Sequence, residues 1–283
     1  MKILAGVLFA AILYIIWQTW ELTRFSVTDY TVISNKIKNP HRVVVIADLH
    51  GFSYGKKNQR LLRKIQECRP QAVLIPGDLI VSKYSETFET ALEFLKELVK
   101  LAPVYYSFGN HETRLRDTEK INYQAFREYI ARVKEMGVHI LNNESCRIAG
   151  MEDMCITGLE LPLDYYEKGR IVPMDSEYLK EFLKKPKEEG YHILLAHTPA
   201  YTEEYACWGA DITFCGHNHG GLIRIPGVGS LLSPELTWFP KYDAGKFEKA
   251  GKEIIVSRGL GTHTYHIRIF NRAELINVQF FPK

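Results

Sequence analysis

The chain has 283 residues, 46% of them hydrophobic and 24% charged, with a formal net charge of +3 and 16 Tyr and 14 Phe. That excludes a disordered chain, supplies one large core or at most two modest ones, and gives no electrostatic case for nucleic acid as a partner. The five cysteines, Cys68, Cys146, Cys155, Cys207 and Cys215, are odd in number and irregular in spacing, which argues against a disulfide framework and against thiolate-bound zinc.

The first element is an apolar run. Ile3 to Trp20 carries no charge, and as a helix its 18 residues span about 27 Å against roughly 30 Å of bilayer hydrocarbon. Trp17 and Trp20 stand where interfacial aromatics belong. No small-residue cleavage site comes after it, so residues 1–20 are expected to be an uncleaved single-pass anchor in a lipid bilayer, not a signal peptide. Arg24, Lys36, Lys38 and Arg42 after the span outnumber Lys2 before it, which weighs for a cytoplasmic domain. A single amino-terminal anchor more often exports the domain it carries, and an extracytoplasmic domain is the expectation. Residues 21–40 read as a connecting segment with a strand at Tyr30–Ser34, and residues 41–283 as one folded domain.

Within that domain Arg42–Ala47 is β-branched and apolar, as in a buried central strand, and runs into Asp48-Leu49-His50. A helix is expected over Asn58–Glu67, with Leu61, Leu62 and Ile65 on one face. The strand Ala72–Ile75 leads to Gly77-Asp78. An amphipathic helix over Phe88–Leu101 ends before Pro103, and the strand Val104–Ser107 leads to Gly109-Asn110-His111-Glu112. Tyr123–Met136 is a third helix, closed by Gly137. This βαβαβα order predicts a mainly parallel sheet. The later half is strand-rich. Glu144–Ala149 and Met154–Leu159 form an expected hairpin around Gly150. Tyr191–Ala196 ends on His197, and Asp211–Cys215 ends on Gly216-His217-Asn218-His219. Ile223–Ile225, Lys246–Ala250, Glu253–Ser257, His266–Phe270 and Glu274–Phe280 are further expected strands. An α/β half succeeded by a strand-rich half predicts two sheets packed together with helices outside.

Five of these strands end on oxygen or nitrogen donors. In open α/β sheets, ligands bind beyond the carboxyl ends of the strands. Asp48, His50, Asp78, Asn110, His197, His217 and His219 all meet that condition. Two carboxylates, one amide and four imidazoles suit Mn, Fe, Zn or Co better than Mg or Ca. Each motif alone is a weak signal; five in order, each after an apolar strand, are hard to assemble by chance.

The ordered motifs resemble those of the calcineurin-like metallophosphoesterase superfamily. Ala47-Asp48-Leu49-His50-Gly51, the run from His219 to Pro226, and Ser257-Arg258-Gly259-Leu260-Gly261, behind a hydrophobic amino terminus, are similar to a bacterial membrane-associated branch of it. Over about residues 40–283 the resemblance implies a four-layer α/β fold, two mixed β-sheets face to face and flanked by helices. It implies two divalent metal ions, one on Asp48, His50 and His219, the other on Asn110, His197 and His217, with Asp78 bridging. It implies a phosphoesterase, hydrolysing a phosphomonoester, phosphodiester or pyrophosphate. A water activated between the metals would attack phosphorus. His111 is the implied non-ligand that steadies the transition state or protonates the leaving oxygen. The anchor makes a phosphorylated small molecule or lipid of the cell envelope the expected substrate.

The chain departs from the pattern at one place. Relatives often read Gly-Asp-x-x-Asp, the second Asp orienting that histidine; here Val81 stands in its place, leaving Ser82 or Glu112 as substitutes. Arg258, together with His263, is expected near the phosphate. Leu222–Pro240 is greasy for a loop-rich stretch and is either core or a loop that faces lipid or covers the substrate. Two rival functions remain. A scaffold that has lost turnover is disfavoured by the complete ligand set and His111, and a nuclease by the modest charge and the lack of an aromatic-basic stripe.

Overall fold

A computed structural model describes residues 2–118, 122–175, 177–183, 186, 189–234, 237–262 and 265–283; His263 and Leu236 lie outside them. The chain starts with α1 (Lys2–Leu22), an apolar helix left almost wholly uncovered by the rest of the protein. Two six-stranded sheets come next. The first takes β1 (Phe25–Ser34), β2 (His41–Val45), β3 (Ala72–Pro76), β4 (Val104–Ser107), β5 (His139–Ile140) and the last strand, β14 (Ala273–Pro282), in the order β1-β14-β2-β3-β4-β5. The second takes β6 (Glu144–Ile148), β7 (Met151–Leu159), β8 (Tyr191–Ala196), β9 (Ile212–Cys215), β12 (Gly245–Lys249) and β13 (Lys252–Val256), in the order β12-β13-β9-β8-β7-β6. A small ribbon, β10 (Ile223–Ile225) with β11 (Gly229–Leu232), stands apart.

Period-two alternation builds the layers. Val43 and Val45 of β2 face the inter-sheet core, where they meet Ile156, Ile193, Leu195, Phe214 and Ile255 of the second sheet. Val44 and Ile46, pointing the other way, pack under α2 (Gln59–Cys68), α3 (Glu86–Leu98) and α5 (Tyr123–Glu135). On the far side, Leu194, Ala196 and Val256 are covered by Leu179 of α6 (Tyr178–Phe182) and by Tyr205 and Trp208 of α7 (Thr202–Trp208). A strand covered on both faces has no polar side to show, which is why these strands are continuous apolar runs. The result is the expected four layers, helices, sheet, sheet, helices.

The central strands are parallel: β2, β3 and β4 in one sheet, β7, β8, β9 and β13 in the other. Their carboxyl ends therefore share one edge of the sandwich.

Three expectations change. Residues 21–40 are more than a connection, because β1 pairs with β14 in parallel over ten residues, from Phe25↔Ala273 to Ser34↔Pro282. His266–Phe270 forms only an isolated bridge at Ile269, because the buried Arg268 guanidinium binds the carbonyls of Arg258, Gly259 and Gly261 and so ties this segment down through its side chain. Gly109-Asn110-His111-Glu112 opens an unforeseen short helix, α4 (Asn110–Asp117).

Candidate metal centre and active site

Each donor follows the end of a parallel strand, six of them on the connecting turns and Asn110 at the start of α4. Those turns are tight: Asp48, His50, Asp78, His217 and His219, five of the seven candidate ligands, have positive φ between 50° and 70°. Left-handed backbone is unfavourable for a residue with a Cβ and persists where surrounding structure enforces it, typically at functional sites. Glycines give the space. A Cβ at Gly216 would meet Asp48 Oδ2 at 2.5 Å, and one at Gly109 would collide with the Asp78 carboxylate.

The donors converge. Asp48, His50 and His219 offer atoms all within 4.8 Å of one another, as do Asp48, Asp78 and His197, and all five residues are buried. His50 Nε2 and His219 Nε2 are 3.1 Å apart, and His197 Nε2 lies 3.1 Å from Asp78 Oδ2. Asn110 Oδ1 and His217 Nδ1 meet at 3.0 Å. The structure thus brings together all seven expected ligands.

The imidazoles are oriented by the backbone. His197 Nδ1 is 2.8 Å from the Pro76 carbonyl, His219 Nδ1 3.1 Å from that of Gly261, and His50 Nδ1 3.4 Å from that of Ile80. A carbonyl only accepts, so the ring proton sits on Nδ1 and the Nε2 lone pair faces the centre, the arrangement a metal-binding histidine needs. His197 Nε2 is buried with the Asp78 carboxylate, itself only an acceptor, as its polar neighbour at 3.1 Å, so its lone pair is lost unless a cation takes it. The donors present fit two borderline divalent ions.

The electrostatics agree. Burial pushes the Asp48 carboxyl up to about 7, with Asp78 adding to the rise and His197 opposing it. Burial also pushes Asp78 upward, but His197, by its charge and by its hydrogen bond, outweighs it and holds that carboxyl well below the ordinary carboxylate range. For His197, burial works against the charge, yet Asp78 and Asp48 raise it to about 9. Two buried carboxylates at one point need positive charge, and here protons and imidazoles supply it.

His111 stands beside this centre, its Nε2 4.0 Å from Asp78 Oδ2. Of the two substitutes for the missing acid, Ser82 is the one in place: its backbone N and its Oγ each lie 3.0 Å from His111 Nδ1. Glu112 does something else. Its carboxylate accepts the amides of Asp78, Leu79, Ile80 and Gly109 and the Tyr106 hydroxyl, so one buried side chain shapes two ligand loops. Burial and Asp78 push it up to about 7.

Arg258 is not at this centre. Its guanidinium pairs with Glu274 at 3.0 Å and reaches Ser26 and Thr28, between β1 and β14. The cations that do line the cleft, Lys83, Arg114 and Lys168, border a cavity of about 410 Å³ around Asp78, His111 and His217. A second groove of about 560 Å³ adjoins it, walled by Tyr165, Tyr201 and Tyr242. Tyr166 and His217 belong to both, and the Tyr166 ring packs 5.4 Å from that of His217. These residues carry no motif; only the fold assembles them.

Residues 41–221 match the family model of the calcineurin-like phosphoesterases. The chain is 26% identical over 241 residues to the phosphodiesterase YaeI of Escherichia coli, covering 83% of this chain and 80% of that one. It is 26% identical over 250 residues to a zebrafish transmembrane protein with a metallophosphoesterase domain, covering 85% of this chain and 53% of that one. An uncharacterised metallophosphoesterase of Aquifex aeolicus is 24% identical over 275 residues, 96% of this chain and 97% of its own.

Proposed function

This chain belongs to the calcineurin-like phosphoesterase family, whose members are hydrolases with a binuclear divalent metal centre, and we propose that it is membrane-anchored and acts on a lipid-linked or envelope phosphate ester. The bond cleaved is a phosphodiester, phosphomonoester or pyrophosphate; the name of the Escherichia coli relative favours the first. The anchor reading rests on α1, 21 residues of high hydropathy with 6% of its most apolar stretch covered by the protein, and on the relative named a transmembrane protein. The domain is read as extracytoplasmic.

One observation carries the metal assignment: three buried imidazoles spend Nδ1 on backbone carbonyls and turn Nε2 toward Asp48 and Asp78. On this reading Asp48, His50 and His219 hold one cation, Asn110, His197 and His217 the other, and Asp78 serves both. When bound, such a pair makes water a nucleophile at neutral pH and neutralises charge developing on the phosphoryl oxygens. The chain does the rest. Lys83, Arg114 and Lys168 draw the anionic substrate into the cleft. His111 presents Nε2–H to an oxygen of the reacting phosphate, steadied by Ser82. The tyrosine-walled groove gives room for the organic group on phosphorus.

The test is turnover of bis-p-nitrophenyl phosphate and p-nitrophenyl phosphate by the detergent-solubilised full chain, stripped of metal and reloaded with Mn, Zn, Fe, Co or Mg. Activity is expected with the transition metals, and Asp78→Ala should lower it by at least about 100-fold. Activity surviving that change sinks the two-metal reading, and none with any metal favours the scaffold.

A further inference from the structure

We propose that the β10–β11 ribbon, the strand end beyond it at Trp238 and Phe239, and Phe270 form a second membrane-contact surface that lays the domain against the bilayer. The proposal rests on the membrane-anchored reading and goes beyond it, since a tethered domain can equally hang free of the surface.

The carboxyl end of α1 is fastened to the domain at a defined depth. Glu21 pairs with Arg272 at 2.8 Å, and Arg60 Nη1 binds the Thr23 carbonyl at 3.2 Å. Arg24 sits 3.9 Å over the Trp20 ring. Arg24 and Arg60 thus stand where the apolar helix ends, which is headgroup depth, and cations there suit anionic lipid. Phe270 goes deeper. Its ring centroid is 6.3 Å from that of Trp17. Trp17 lies four residues, about 6 Å, further along the helix than Glu21 toward the hydrocarbon. The domain therefore reaches past the fastening point to the level of the apolar helix, and the residue that reaches is an aromatic 66% exposed.

Phe270 is continuous with the ribbon. Ile269 bridges Ile223, exchanging hydrogen bonds with Leu222 and Arg224, and Phe239 N binds the Leu231 carbonyl. On this platform Val228 is 70%, Trp238 64% and Phe239 61% exposed. Large apolar side chains clustered and uncovered in this way mark a contact surface. The occupant is the bilayer, because the patch runs directly into the helix that enters it. Leu222, where the ribbon begins, is only three residues after His219, so the surface would set one rim of the metal cleft at the lipid headgroups and select phosphorylated amphiphiles.

Bromolipid quenching of tryptophan in proteoliposomes of the full chain tests this. The four tryptophans are Trp17, Trp20, Trp208 and Trp238, and Trp208 is buried in the core. In the Trp17→Phe, Trp20→Phe double variant, emission should still be quenched by lipids brominated near the headgroup, and adding Trp238→Phe should abolish the quenching. A double variant that floats with the vesicles but shows no quenching overturns the membrane surface. If the same sample then cross-links as a dimer through the ribbon, a second copy covers the patch instead. Failure of the wild-type chain to float overturns the anchor reading itself.

Discussion

Asp48, Asp78 and His197 meet at the floor of the cleft almost wholly out of solvent, and without cations their protonation is written into the stability of the fold. Asp48 holds its proton up to about 7 in the folded state, far above its unfolded value. The folded protein therefore binds more protons through that window, and stability falls as pH rises across it. His197, raised to about 9, contributes stability that is full below its unfolded value and lost as pH rises through 9. Asp78, held low, acts oppositely, its contribution disappearing only in acid. The metal-free protein should then have its highest Tm at about pH 4, where Asp78 is ionised and Asp48 still protonated, and lose several degrees on the way to pH 9. Asp48→Asn should flatten the slope, and saturating Mn or Zn should remove it while releasing protons, seen as a buffer-dependent heat in calorimetry. An apo Tm that rises from pH 6 to 9 would contradict this. His111 has a different constraint. The Ser82 amide donates to its Nδ1, so the ring is neutral with its proton on Nε2, and giving that proton away completely would leave an imidazolate. It can stabilise a leaving oxygen but not protonate it, so rates should fall steeply as the leaving group becomes poorer. Ser82→Asp keeps that amide but sets a carboxylate beside Nδ1 in competition with it, which favours a proton there and a charged ring, and should raise turnover of an alkyl ester relative to a nitrophenyl ester. No change in that ratio would refute the account.

At the scale of elements, legibility in the chain comes from burial. β2, β3, β8 and β9 are covered on both faces, so each is a short apolar run, and the first polar residue after it is a donor at the sheet edge. Strand and site were legible together for that reason. α4 was not, because Leu115 is its single large apolar residue and no helical stripe exists; it is held by Glu112 folding back onto the Gly109 amide. The pairing of β1 was equally hidden, since its partner lies some 250 residues on and periodicity reports nothing about non-local partners. The placement of Arg258 failed for a related reason. A cation after a late strand near the ligands looked like a phosphate group's partner, but Glu274, at the start of β14, claims it. Val81 marks in the sequence where the chain leaves the pattern beside His111, while the group that stands at its Nδ1, a backbone amide at Ser82, is one that every residue but proline carries.

For the whole molecule, β1 decides where the folding unit begins. Its ten pairs with β14 cover what would otherwise be a long open strand edge. Thr28 and Asp29 bind Glu274 and Asn277 across that seam. Val32 and Ile37 lie in the inter-sheet core, each 2% exposed, and Lys36 reaches over to Asp211 of the second sheet at 2.8 Å. The two apolar side chains alone contribute roughly 3–6 kcal/mol of burial, a large share of the roughly 5–15 kcal/mol typical of a domain. A chain starting at Thr23 lacks the apolar helix but keeps all of this, and it should be soluble, cooperative in unfolding and able to bind metal. A chain starting at Asn39 retains every candidate ligand and His111, yet it exposes β14 as an unpaired ten-residue edge, which invites association with other copies. It should unfold at a Tm many degrees lower, or aggregate, by thermal denaturation and size exclusion. If the two chains prove equally stable and monomeric, β1 is an ornament of the apolar helix and the unit begins at β2; if the longer one alone survives, the segment after that helix is a structural strand of the enzyme.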